Sequence, residues 1–148
     1  MNRFKLYLIL SIVMTLIIFT NSFMPAHISS AQSGFFSTFL YKIIHQWGIN
    51  IQLDEVSWMV RKTAHFTQFF VLGMLWFLTW SQKLILSKTI KWALLFTCMT
   101  AVMDETIQLF SDGRAFSVVD ILIDISGAIT GILVLWVIRS LKQKSSVA

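Results

Sequence analysis

Four stretches of this chain, 6–23, 64–80, 92–110 and 118–138, are apolar over nearly the length that a bilayer crossing requires. A hydrocarbon core about 30 Å thick takes roughly 20 helical residues at about 1.5 Å each. The pattern predicts an all-α, polytopic membrane protein built as a four-transmembrane-helix bundle. Composition agrees. The 148 residues are 56% apolar and 13% charged, where soluble domains run at about 45–50% and about 25%. Such a surface cannot be covered with polar atoms, which excludes a cytosolic enzyme, a nucleic-acid binder and a disordered tail. Length predicts a single domain over 1–140, followed by a basic cytoplasmic tail at 141–148. The lone cysteine, Cys98, rules out an internal disulfide and reads as a small buried hydrophobe.

A net charge of +5 would suggest nucleic acid in a soluble chain. In a membrane chain, Lys and Arg mark the cytoplasmic ends of spans. One set of ends and loops holds Arg3, Lys5, Lys83, Lys88, Lys91, Arg139, Lys142 and Lys144; the other holds Lys42, Arg61, Lys62 and Arg114. Eight against four places both termini in the cytoplasm. Trp80, Trp92 and Trp136 then fall near the inner interface, and Trp47 and Trp58 near the outer one. The first span also reads as a cleavable signal peptide, with a basic start and small residues at Ser29-Ser30-Ala31. Its near-spanning length favours retention. Between the first two spans, Phe35, Phe36, Phe39, Leu40, Ile43 and Ile44 recur near helical spacing. They predict an amphipathic helix on the outer face, serving as an interfacial anchor or as a lid.

The informative residues are those that are costly in lipid. An Asp near a helix centre costs about 2.5–3.5 kcal/mol on insertion scales, yet the third stretch holds Asp104, Glu105 and Gln108. The fourth holds Asp120 and Asp124, and the second opens with Arg61, Lys62, His65 and Gln68. At about 1.5 Å per residue, Asp104 and Glu105 lie roughly 8–9 Å, and Asp124 roughly 10 Å, inside the outer ends of their spans. Three helices thus place ionisable groups in one layer of the outer half. Thr97, Thr100, Ala101, Asp104 and Gln108 form one helical stripe; Asp120, Asp124, Gly127, Ala128 and Gly131 form another. The Gly127 to Gly131 spacing permits close helix approach, and Ser117 with Asp120 is a capping pattern. The turn between the third and fourth spans holds Arg114 above the acids. Two readings follow: an ion-pair network that pins helices together, or a polar pocket open to the outer face.

At these positions the chain resembles the VanZ-like family. The resemblance rests on Arg61-Lys62-x-x-His65-Phe66, Leu72-Gly73, Asp104-Glu105-x-x-Gln108-x-Phe110, Gly113-Arg114, Asp120 and Gly127, with Ser29-Ser30-x-Gln32-x-Gly34 before them. It covers most of the chain from about residue 20 to about 135. It implies a small multi-span protein of the bacterial cell membrane, linked to low-level resistance to teicoplanin, a glycopeptide that binds cell-wall precursors. Gln68 and Phe69 stand where the family often has an acidic residue and a tyrosine, and Asp124 where asparagine is frequent.

Two functional classes emerge. A binding protein for envelope components needs only the pocket, formed by Arg61, Lys62, His65, Asp104, Glu105, Gln108, Arg114, Asp120 and Asp124. The alternative is an enzyme acting on a lipid-linked, phosphate-bearing cell-wall precursor, with His65, Asp104 and Glu105 as candidate acid–base groups and Arg61, Lys62 and Arg114 as a phosphate clamp. Carboxylates could also hold Mg²⁺, but no residue is assigned as a metal ligand and no cofactor is named. No phosphate loop or nucleophile elbow is present. Expected partners are the lipid bilayer, with a lipid-linked precursor or glycopeptide as ligand, no nucleic acid, and room for an oligomer. A transporter fits poorly, because the chain lacks internal symmetry.

Overall fold

In the computed structural model, which describes residues 2–145, one long helix organises the other four. The chain forms α1 (Arg3–Ser22), α2 (Ala26–Gln46), α3 (Leu53–Ser81), α4 (Leu86–Gln108) and α5 (Val118–Ser145). Helix α3 touches all the others, and its most extensive interface is with α5. Of the tail expected at 141–148, residues 146–148 lie outside the described residues.

Local chemistry sets the ends. The Asn2 side chain accepts from the Phe4 N–H at 3.1 Å and starts α1. Pro25 stands before α2, where its fixed φ suits a helix start. That helix stops at Gly48, whose φ of +76° is open to glycine without strain. There the N–H groups of Gly48 and Ile49 return to the carbonyls of His45 and Ile44, satisfying the helix's last acceptors. At the start of α3 the Glu55 carboxylate accepts from the Gln52 N–H at 3.1 Å. At the start of α5 the Ser117 hydroxyl accepts from the Asp120 N–H at 3.2 Å.

The core is Ile18, Phe69, Leu72, Trp76, Phe77, Ala93, Ala101, Ala128 and Ile132. Small residues let α3 and α5 approach backbone to backbone. A Cβ on Gly131 would come within 2.2 Å of the Phe70 carbonyl oxygen, and one on Gly127 within 2.3 Å of that of Phe66. From the other side, a Cβ on Gly73 would meet the Ala128 carbonyl oxygen at 2.5 Å. The GxxxG spacing of α5 therefore serves helix packing. Aromatic rings fill the end of the bundle where α3 meets α4. Trp76 stacks on Phe96 at 4.4 Å and Trp80 lies 5.9 Å from Trp92.

Two differences from the sequence reading concern length. Helix α3 begins at Leu53 rather than 64, and α2 begins at Ala26, well before the apolar repeat that announces it. In both places polar residues continue a helix that hydropathy alone does not reveal. Among the described residues, α1 and the Val118–Lys142 part of α5 are long and apolar enough to cross a membrane. Helices α3 and α4 fall short of that measure. They are the helices that carry Arg61, Lys62, Lys88, Lys91, Asp104 and Glu105. The outer flank of α2 is apolar and uncovered, with Phe35, Phe36 and Phe39 all more than half exposed.

Candidate functional site

The polar residues of all five helices meet at one end of the bundle, around a cavity of about 410 Å³. Helix α1 contributes its last turn, α2 its first turns, α3 its polar half, α4 its end and α5 its beginning. Two hydrogen bonds fix this end. The Ser111 hydroxyl donates to the Ser22 carbonyl at 2.6 Å, and the Ala26 N–H donates to the Asp112 carbonyl at 3.0 Å. They join the α1–α2 corner to the α4–α5 turn.

Beneath the cavity, His65, Asp104, Glu105 and Asp124 each offer an atom within 4.8 Å of the others. The acids are deeply buried: Asp104 is 1% exposed, Glu105 0% and Asp124 0%. Nδ1 of His65 lies 3.3 Å from Oδ1 of Asp124 and 3.9 Å from Oδ2 of Asp104. The two neighbouring acids of α4 are held by donors. Ser22 donates to Oδ1 of Asp104. The Gln108 amide donates to Oδ2 of Asp104 at 3.3 Å and to Oε1 of Glu105 at 3.0 Å. The Ser117 N–H donates to Oε2 of Glu105 at 2.7 Å. Glu105 therefore caps α5 from a different helix. Asp120, which the capping pattern singles out, uses its backbone N–H for the Ser117 hydroxyl and its carboxylate for Lys62.

Asp124 differs from its neighbours. Both of its carboxylate oxygens, and Nδ1 of His65 facing them, are buried and lack a hydrogen-bond partner. The 3.3 Å contact between the two side chains is close enough for charge attraction, but its angle is poor for a hydrogen bond.

The cavity wall above carries the cations. Lys62 pairs with Asp120 and sits over the Trp58 ring at 5.5 Å. Arg61 and Arg114 line the same space, with Gln32, Ser29 and Ser33 of α2 opposite. Arg114 follows Gly113, whose φ of +73° allows the sharp turn. Burial lowers the pKa of the Arg114 guanidinium, against the opposing pull of Asp104, yet it stays charged at any physiological pH. Sequence reading places Arg114 over the acids as their counter-ion. Among the described residues, however, it comes within ion-pair distance of none of them; only Lys62 and His65 do. Turn geometry, which helical periodicity does not govern, decides this.

All nine predicted residues gather at this end. Arg61, Lys62, His65, Asp104, Gln108, Arg114 and Asp120 line the cavity, and Glu105 and Asp124 lie below it. Two contributors escape sequence reading. Ser22 looks like a flaw at the end of an apolar run; its position at the same height as the acids is the signal that could have found it. The α2 residues Ser29 and Gln32 stand out only through the family resemblance, and Ser33, between its motif positions, not even there.

A second, apolar cavity of about 640 Å³ lies alongside, between α1, α2 and α3. It is lined by Met14, Phe39, Leu40, Met59 and Val71, and it shares Phe36, Val60, Ala64 and Gln68 with the polar one. Polar and apolar spaces are thus two sides of one wall.

No curated protein and no solved structure matches the chain. Residues 6–139, nearly the whole chain, match the VanZ/LLP1 family, and this membrane protein belongs to it.

Proposed function

We infer that the protein binds an amphiphilic, phosphate-bearing component of the cell envelope at the outer leaflet. The headgroup lies against Arg61, Lys62 and Arg114, and the hydrocarbon chain occupies the apolar cavity alongside. One observation carries this reading: the cationic cavity and the apolar one share the wall formed by Phe36, Val60, Ala64 and Gln68. A water-soluble phosphate compound would have no use for the second space, and a plain lipid would have none for the first. Arginine suits phosphate because its planar fork offers paired donors.

In this reading α1, α3, α4 and α5 cross the bilayer and α2 lies on the outer surface, with both termini in the cytoplasm and 1–140 as one domain. Helix α4 supports it by carrying Leu95, Met99, Val102 and Met103 exposed on one flank, opposite the buried stripe that includes Thr97, Thr100 and Asp104. The polar ends of all four crossing helices then face the same side. Retention of α1 belongs to this reading, and the Ser22 donor to Asp104 supports it. The cellular role that fits is a change in the access of a glycopeptide such as teicoplanin to lipid-linked precursors.

The test is binding of a polyprenyl phosphate to the purified chain, followed by native mass spectrometry. Replacing Arg61 and Arg114 by Ala should weaken binding at least tenfold, since a hydrogen bond to a charged group contributes about 1.5–3 kcal/mol. Equal binding by the double variant would refute the clamp. A second reading, catalysis on the same ligand, is favoured by His65 and Asp104 lying on the cavity floor 3.9 Å apart. It requires a chemically altered lipid in cells that express the chain, and mass spectrometry of the lipid pool with and without the protein decides it.

A further inference from the structure

Three carboxylates with one imidazole are an unusual content for a helical interior. Buried charge is costly unless paired, and here the pairing falls short. Lys62 is taken by Asp120, and among the described residues no Lys or Arg comes within ion-pair distance of Asp104, Glu105 or Asp124. Nor are the open valences scattered. Among the described residues, five buried side-chain polar atoms lack a hydrogen-bond partner, and three of them meet here: both oxygens of Asp124 and Nδ1 of His65. The other two are indole nitrogens of Trp76 and Trp80 in the aromatic cluster.

We propose that His65, Asp104, Glu105 and Asp124 form a binding site for one divalent metal ion of the Mn²⁺ to Zn²⁺ class. Ligands about 2.1 Å from a central ion stand at most about 4.2 Å apart. The separations of 3.3 and 3.9 Å from His65 to Asp124 and Asp104 already lie within that range. The set as a whole lies within 4.8 Å, and because tetrahedral ligands stand about 3.4 Å apart, its widest pairs close onto an ion by about 1 Å or slightly more. Oxygen ligands with a single imidazole suit Mn²⁺, Fe²⁺ or Zn²⁺ better than soft ions, which seek sulfur, or Ca²⁺, which seeks six to eight oxygens.

The hydrogen bonds divide the ligands into two kinds. Asp104 and Glu105 are aimed by Ser22, Gln108 and the Ser117 N–H, the outer-layer support that metal-bound carboxylates generally have. Asp124 and Nδ1 of His65 have no such donor and stand 3.3 Å apart, a spacing that two ligands of one ion can share. The ion supplies the missing positive charge and satisfies these open atoms together.

The experiment uses full-length protein purified in detergent, stripped by chelator and dialysed against Mn²⁺ or Zn²⁺, with metal measured by elemental mass spectrometry and no lipid added. Wild-type protein should hold about one equivalent. Asp124→Asn, which keeps the shape and removes the charge, should bind at least tenfold more weakly. Gln108→Ala, which leaves every ligand in place, should lose roughly 10–100-fold in affinity, and it serves where the Asp124 variant fails to fold. Monodisperse wild-type protein that takes up neither ion in excess, or an Asp124→Asn protein that binds as tightly as wild type, overturns the site. Because no lipid is present, either result leaves the proposed headgroup binding untouched.

Discussion

Glu105 shows how one side chain can be read in two ways and belong to both. Its charge makes it a candidate for chemistry, yet its Oε2 accepts the N–H of Ser117 at 2.7 Å and so anchors the first turn of α5. Removing the acceptor strands a half-buried N–H, at a cost of about 1–3 kcal/mol. Glu105→Ala should therefore lower unfolding stability in detergent by about 2 kcal/mol. Glu105→Gln should lose less, because the amide oxygen can still accept from Ser117. Its NH₂ then opposes the Gln108 amide, which either flips and releases Asp104 or stays and loses the bond to position 105. A Glu105→Ala protein as stable as wild type would show that the cap contributes nothing. The sequence makes Asp104 and Gln108 legible, because their spacing repeats that of Thr97, Thr100 and Ala101 on a single buried face. It hides Ser22 and the cross-helix cap, because neither follows a period. A residue whose partner lies 82 positions away, as Asp104 does from Ser22, leaves no local trace.

Among the elements, the α3–α5 pair depends on what glycine lacks. A Cβ at Gly131 would stand 2.2 Å from the backbone oxygen of Phe70, and backbone cannot swing aside as a side chain can. Gly131→Ala should cost about 1–3 kcal/mol through overpacking. Gly34 in α2 is the contrast: a Cβ there meets nothing within 4 Å. Gly34→Ala should gain about 0.5–1 kcal/mol from helix propensity. Thermal melts of the two variants side by side give opposite signs, and a like sign for both would defeat the packing argument. This interface is visible in the sequence because Gly127, Ala128 and Gly131 share a stripe with Asp124. The lengths of α2 and α3 are not. Residues 26–34 and 53–63 are too polar to register in a hydropathy scan; the first starts from Pro25 with the Ala26 N–H held by Asp112, and the second from the Gln52–Glu55 cap.

For the whole molecule, the arrangement across the membrane is the claim most open to direct measurement. With Cys98 replaced by Ala, a cysteine introduced at Asp112 should react with a membrane-impermeant thiol reagent added to intact cells. One introduced at Lys88 should react only after the membrane is breached. The reverse pattern would invert the molecule and remove the cavity from the outer leaflet. Charge counting is the basis of the proposed orientation, since cations gather on loops of one side; the shared wall between the two cavities lay beyond it, because it joins Phe36 of α2 to Val60, Ala64 and Gln68 of α3. The paired hydrogen bonds from Ser111 to Ser22 and from Ala26 to Asp112 carry a further consequence. They fasten the α1–α2 corner to the α4–α5 turn, so the loops beside the polar cavity hold together as one piece. If the proposed amphiphile binds, the apolar space between α2 and α3 gives its hydrocarbon chain a sideways route in, out of the surrounding lipid.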